Sequence, residues 1–250
     1  MSQYEFATEI VALPSEGKCY PESNPLSSGQ IELKYMTARE EEILATQSLI
    51  KKGVVLDKLF EAIIVDKKIN PDDILLGDKN AIMLATRVLG YGPEYKIDVT
   101  LDNGEKEEVS IDLGKVQTKD IDVTKLSREN RYTFKTSLGN EIIFKLLTHG
   151  DEKKIDMDVK AMQRLSKDGG SELTTRYRYM ILSVDGKDDT KSITDFINNR
   201  FLAKDTRAFR EHLKNLQPDI KMEFDFHNPE TGEMEVRPIP MGVNFFWPTE

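Results

Sequence analysis

The 250-residue sequence has very little of what secreted, membrane or disulfide-stabilised proteins need. Its one cysteine, Cys19, leaves no partner for a disulfide within the chain, and no Asn-x-Ser/Thr sequon occurs. The opening stretch Met1–Ala12 has neither the basic region nor the apolar run of a signal peptide. Apolar runs elsewhere are only a few residues long, which is too short to cross a bilayer. We therefore expect a protein of a reducing cytoplasm with no membrane partner.

Positively charged residues are also outnumbered: the chain has 35 Lys and Arg residues against 44 Asp and Glu residues, for a net charge of −9. Nucleic-acid binding depends on cationic side chains that neutralise phosphates, so we expect no nucleic-acid partner. A local basic patch is the alternative. Arginines gather in the second half of the chain, interleaved with acidic residues, at Arg176, Arg178, Arg200, Arg207 and Arg210.

Catalytic motifs are nearly absent. The histidines His149, His212 and His227 are far apart, and none adjoins a serine or cysteine in a nucleophile elbow. Gly90–Gly92 follows a helical pattern, whereas a dinucleotide fingerprint follows a strand. Asp185–Asp189 is acidic but lacks the ligand spacing of a calcium loop. We expect no enzyme, no cofactor and no metal, although a catalytic triad assembled from distant residues is left open by the sequence.

The strongest pattern present is a helical block. Thr37 and Glu40 form a capping box, in which each side chain takes a backbone N–H, and the helix they open is predicted to end at Gly53. A second helix places its apolar residues on one face, at Leu56, Leu59, Phe60, Ile63 and Ile64. A further helix is predicted to open at Asp78 and close at Gly90.

Alternating apolar residues predict β-hairpins around three turns, at Asp102–Gly104, Leu138–Asn140 and Asn228–Gly232. Between the last two hairpins the helical period returns. One predicted helix ends at Gly169-Gly170, and the next has one face formed by Leu173, Tyr177, Ile181 and Val184. Helix caps are predicted at Ser171, Ser192 and Asp205.

The predicted fold class is α+β, with two helical blocks interleaved with antiparallel β-hairpins. We divide the chain into an extended N-terminal arm at 1–36, a helical block with two hairpins at 37–147, and a second helical block with a C-terminal hairpin and an aromatic end at 148–250. The arm carries Leu13, Tyr20 and Leu26 as spaced anchors. It either packs on its own domain or reaches a partner.

The aromatic end is the main candidate binding feature. Phe245, Phe246 and Trp247 are consecutive. They are either core residues that lock the end of the chain, or an exposed apolar patch of the kind that marks an interface. We therefore assign them as candidate partner-binding residues.

Several segments, in the same order along nearly the whole chain, resemble the baseplate hub assembly proteins of T4-like contractile-tailed bacteriophages. They are Leu13–Gly17, Tyr20–Pro21, Glu32–Leu44, Gly77–Ala81, Leu89–Gly92, Asp205–Arg210 and Phe245–Pro248. The resemblance implies a non-enzymatic tail morphogenesis protein of the host cytoplasm, which is an assembly factor or chaperone, or a minor hub component. It implies binding to other baseplate hub or tape-measure proteins.

The resemblance also implies a zinc-knuckle-like feature, because many members of that family look as if they carry Cys-x-x-Cys pairs at their hairpin tips. Here the tips read Leu101–Gly104 and His227–Glu230, with no thiolate, so the ligands of a structural zinc site are missing.

Two other functions stay open. The first is a resident structural subunit of the virion baseplate. The second is a cell-wall hydrolase, which needs paired carboxylates in a cleft. The adjacent Glu40, Glu41 and Glu42 lie at a predicted helix start, where the helix dipole explains them.

Overall fold

A computed structural model describes residues 7–165, 172–241 and 243–246. The α-helices are α1 (Ala38–Ala45), α2 (Gln47–Lys52), α3 (Val55–Ile63), α4 (Leu76–Tyr91), α5 (His149–Leu165), α6 (Glu172–Met180), α7 (Thr190–Asn199) and α8 (Ala203–Leu216). The strands are β1 (Thr8–Ala12), β2 (Gln30–Lys34), β3 (Glu94–Thr100), β4 (Lys106–Asp112), β5 (Tyr132–Lys135), β6 (Glu141–Phe144), β7 (Ile181–Val184), β8 (Glu223–His227) and β9 (Met234–Pro238).

All strand pairs among these elements are antiparallel. β1–β2, β3–β4 and β8–β9 form two-stranded sheets, and β5, β6 and β7 form one three-stranded sheet in that order. The α+β class and the three predicted hairpins are confirmed. None of the helices in the described ranges is long and apolar enough to cross a membrane.

The N-terminal arm packs on its own domain. Its strand β1 pairs along its whole length with β2, from Thr8 opposite Lys34 to Ala12 opposite Gln30. The three anchor side chains, Leu13, Tyr20 and Leu26, are buried. From residue 7 onward the segment consists of the paired strands β1 and β2 with turns and a 3-10 helix, Pro25–Ser28, between them, and it packs on the rest of the chain.

The helix predicted to end at Gly53 is two helices, because the chain breaks at Thr46. The Thr46 backbone is extended, and its hydroxyl donates to the carbonyl of Glu42 at 2.7 Å. Such a bond competes with the helical ladder and favours a helix end. Gly53 terminates α2 in the left-handed conformation, as predicted.

Ile181 and Val184 belong to β7 and not to the end of a helix, so that prediction is wrong. Both side chains are buried, and Val184 pairs with Ile142 of β6. Over so short a stretch, buried apolar residues are compatible with both the helical and the strand periodicity. The conformation is decided by the edge of β6, with which this segment pairs.

Three predicted helix caps differ from the caps in the structure. α4 begins two residues before Asp78, and α8 begins two residues before Asp205. Both aspartates instead bind distant serines, as described below. The cap of α7 is Asp189, whose carboxylate accepts the N–H of Ser192 at 2.9 Å. The predicted cap at Ser171 and the helix end at Gly169-Gly170 lie outside the described residues.

One hydrophobic core takes side chains from all three predicted segments, including Leu26, Phe60 and Phe209, each with no exposed surface. A smaller cluster of Val99, Leu101 and Phe226 joins the β3–β4 and β8–β9 hairpins. The helices and hairpins therefore pack as connected parts of one structure.

Candidate functional site

The first turn of α4, Gly77–Ala81, contacts three distant parts of the fold: the N-terminal arm, α5 and the segment before β8. Gly77 lies against the chain that precedes β8. A Cβ atom at this position would lie 1.8 Å from the carbonyl oxygen of Pro218, so only glycine permits the contact. This close approach explains why a residue with poor helix propensity stands inside the helix.

Asp78 binds the N-terminal arm and has no exposed surface. Its carboxylate accepts the backbone N–H of Ser15 at 2.9 Å, the hydroxyl of Ser15 at 2.7 Å and the hydroxyl of Tyr20 at 2.6 Å. The Tyr20 oxygen in turn accepts the N–H of Leu75 at 2.9 Å. Burial raises the pKa of Asp78, although these donors oppose the shift. The network fixes the arm to the start of α4.

The next two residues of the turn make the remaining connections. Lys79 forms an ion pair with Glu152 of α5. The Asn80 amide donates to Asp219 at 3.0 Å, beside the segment that Gly77 touches. The turn thus joins the arm, α5 and the segment before β8. Its polar side chains are used in contacts that stabilise the fold.

The aromatic end docks further along α4, on Arg87. This guanidinium is only 1% exposed. Its Nε donates to the carbonyl of Phe245 at 3.2 Å, Nη1 to Gly92 at 3.1 Å and Nη2 to Glu94 at 3.2 Å. Burial lowers the pKa of Arg87, and the neighbouring Tyr95 opposes that shift. Nothing in the sequence singles out Arg87, because an arginine within a helix is ordinarily expected to be exposed to solvent.

The rings of the aromatic end complete the docking. Phe245 and Phe246 lie in a 3-10 turn, Val243–Phe246, and neither ring has exposed surface. The Phe245 ring packs edge-to-face on Tyr95 at 5.2 Å and on Phe246 at 5.6 Å. These two residues are core residues, so they do not form the exposed patch that the sequence left open. Trp247 lies outside the described residues.

The partner-binding assignment of Phe245, Phe246 and Trp247 stays a prediction. Arg87 ties the backbone of Phe245 to α4 and to the start of β3.

One cluster has the composition of a metal site. Ligand atoms of Asp57, Asp72 and His149 lie within 4.8 Å of one another. The ammonium of Lys153, however, contacts Asp57 at 3.1 Å and Asp72 at 2.5 Å. His149 Nε2 lies 2.7 Å from Asp57, and burial lowers the pKa of this imidazole. Since the Lys153 ammonium contacts both carboxylates and offsets one of their two negative charges, we interpret the cluster as a structural link between α3, α5 and the turn at Asp72.

The histidines, Cys19 and Gly90–Gly92, which the sequence offered as possible catalytic or phosphate-binding residues, are also part of the fold. Within the described ranges, no hydroxyl or thiol hydrogen-bonds to His149, His212 or His227, which lie on α5, α8 and β8. Cys19 is buried, and burial raises the pKa of its thiol to about 11, which disfavours the reactive thiolate. Gly90–Gly92 forms the end of α4, as predicted.

Two aspartates of the acidic stretch Asp185–Asp189 are hydrogen-bonded within the fold. Asp185 accepts the N–H of Glu141 and the amide of Asn140, both at 2.8 Å, and Asp189 caps α7. Both carboxylates are committed to backbone or side-chain donors of the fold.

Residues 7–247 match the family described as T4 bacteriophage base plate protein. No curated protein and no solved structure gives a significant match to the chain.

Proposed function

The chain belongs to the T4 bacteriophage base plate protein family, and we propose that it is a non-enzymatic tail morphogenesis protein that helps to build the baseplate hub by binding other tail proteins. The family match carries the proposal, because it spans the arm, both helical blocks and the aromatic end. The family relation supports a place among phage tail proteins. That the chain acts as an assembly factor is our proposal.

The use of the buried polar groups supports a binding role. Asp78, Arg87 and the Asp57–His149 pair are each bonded to other parts of the same chain. Catalytic sites keep such groups in a cleft, where they meet a substrate. A protein that commits them to its own architecture is suited to present a surface, so we expect stoichiometric binding and no turnover.

The first experiment asks whether the protein leaves the finished particle. A tagged chain is produced during infection and quantified by mass spectrometry in hub intermediates and in purified tails. We expect it with hub or tape-measure proteins in the intermediates and not in the tails. A fixed stoichiometric amount in purified tails would establish the alternative, a resident structural subunit. Release of soluble fragments from purified peptidoglycan would contradict the non-enzymatic proposal.

The second experiment concerns the aromatic end. Phe246→Ala and Trp247→Ala are compared with wild type for melting temperature and for recovery of tail proteins in a pull-down. Phe209→Ala is the matched control for Phe246→Ala, because it also removes a ring with no exposed surface, but one that packs on Phe144 instead of Phe245. If the aromatic end supports the contact surface, Phe246→Ala lowers recovery more than Phe209→Ala at an equal loss of stability. Equal recovery would place Phe246 in the core alone.

A further inference from the structure

A surface pocket opens between α6 and α8. Its volume is about 180 Å³. Its lining includes three buried residues, Leu147, Tyr177 and Met180, and also Leu76 and Leu213. Leu173 lies at the rim and is 42% exposed. The pocket therefore offers an apolar interior that faces solvent.

Two arginines line the same pocket, although the chain as a whole is acidic. Arg210 donates to the hydroxyl of Tyr177 at 3.2 Å, and no ion pair found among the described residues includes it. Arg176 pairs with Glu172 at 3.6 Å, and the Glu172 side chain is 66% exposed. An exposed pair of this kind contributes only about 0–1 kcal/mol, so an incoming carboxylate can replace Glu172 at small cost.

We propose that this pocket binds one large apolar side chain of a partner protein, with the partner's adjacent carboxylates held by Arg176 and Arg210. Identifying the partner as another tail protein rests on the proposed function. The pocket is smaller than the roughly 300–1,000 Å³ of typical small-molecule sites, and it is matched to a single anchor residue. Guanidinium groups bind carboxylates through paired, charge-assisted hydrogen bonds, which defines the acidic neighbours.

Methyl NMR of methionine-labelled protein tests the site directly. The probe is the synthetic peptide Gly-Ser-Gly-Phe-Asp-Asp-Gly-Ser-Gly, added at millimolar concentration. We expect the methyl signal of Met180, assigned with Met180→Leu, to shift on titration. Met157 on α5 is 67% exposed and lies outside the pocket lining, so its signal should stay in place. Peptides with Ala for Phe, or Asn for both Asp residues, should bind much more weakly.

Variants connect the binding to the arginines. Arg210→Gln should weaken peptide binding roughly ten- to a hundredfold, the usual range for a lost charge-assisted hydrogen bond. Arg207→Gln removes the same charge from the same helix outside the pocket lining, and it should keep the affinity within about twofold. Leu173→Asp changes an exposed rim position and places a negative charge there, so it should also abolish binding.

The proposal is overturned if Met180 does not respond, if the Asn peptide binds as well as the Asp peptide, or if Arg207→Gln weakens binding as much as Arg210→Gln. It is also overturned if octanoate shifts Met180 and the peptide does not, since the site then takes a small carboxylate. Failure here with tail proteins still recovered from infected cells leaves the proposed function standing. Peptide binding with no tail protein recovered supports the pocket and contradicts the proposed function.

Discussion

Asp78 and Ser15 are 63 positions apart in the chain and joined by two hydrogen bonds, from the serine N–H at 2.9 Å and from its hydroxyl at 2.7 Å. Asp205 holds Ser137 in the same way, at 2.8 and 3.1 Å across 68 positions. Each aspartate is the third residue of its helix. The chain thus uses one device twice, to fix a loop to the beginning of a helix.

The Ser15–Asp78 contact should be energetically coupled. Ser15→Ala removes one donor from a buried carboxylate, and we expect it to cost roughly 1–3 kcal/mol. A double-mutant cycle with Asp78→Asn, measured by urea unfolding, should give a coupling energy of roughly 0.5–3 kcal/mol. Ser28→Ala changes an exposed serine of the same arm and should stay within about 0.5 kcal/mol of wild type. Strictly additive costs of Ser15→Ala and Asp78→Asn would show that the two residues are not coupled.

Glu40 should make stability depend on pH in the acidic range. Burial alone would raise its pKa, but hydrogen bonds from Lys34 and Thr37 lower it to about 2. A lowered pKa means that the stabilisation is complete above the ordinary value of 4.5 and is lost as the pH falls towards about 2. Glu40→Gln should therefore cost roughly 1.5–3 kcal/mol at pH 7, and the difference from wild type should shrink through that window.

The matched control is Glu42→Gln, an exposed residue of the same helix. Urea unfolding at pH 7, 4 and 3 should show little effect of this change. A Glu40→Gln deficit that stays constant with pH would rule out the proposed ionic stabilisation.

Phe60 should be a critical core residue of α3. The side chain has no exposed surface and packs edge-to-face on His149 at 5.6 Å. Phe60→Ala should leave a cavity that costs roughly 3–5 kcal/mol. Because total stability is only about 5–15 kcal/mol, this variant should melt early and express poorly. Leu138→Ala alters an apolar side chain that is 66% exposed, and it should melt like wild type. If both variants melt alike, the burial of Phe60 does not stabilise the fold.

Zinc should not be needed for the fold. The tips of the β3–β4 and β8–β9 hairpins carry no thiolate, and the Lys153 ammonium lies between Asp57 and Asp72 beside His149, where a bound cation would have to displace it. Elemental analysis of the purified protein should find less than one equivalent of zinc, and chelator should leave the melting temperature unchanged. A full equivalent that is removed with loss of structure would contradict this expectation.

The sequence by itself determined the local elements. Thr37 and Glu40 mark the start of α1, Gly53 marks the end of α2, and the Asn103-Gly104 turn marks a hairpin, because each signal acts through residues only a few positions away. The ordered segments also indicated the family, because their order along the chain is itself a property of the sequence. Gly77–Ala81 is one of these segments, although its contacts could not be predicted from the sequence.

Only the tertiary structure decided what those residues do. Asp78 and Asp205 have the sequence signature of local caps, yet their partners lie more than sixty positions away. Arg87 reaches the Phe245 carbonyl across 158 positions, and the edge of β6 turns the buried Ile181–Val184 into a strand. Such contacts depend on which surfaces meet after the chain folds. A periodic pattern records only which side of an element is apolar, and so it cannot specify the partner.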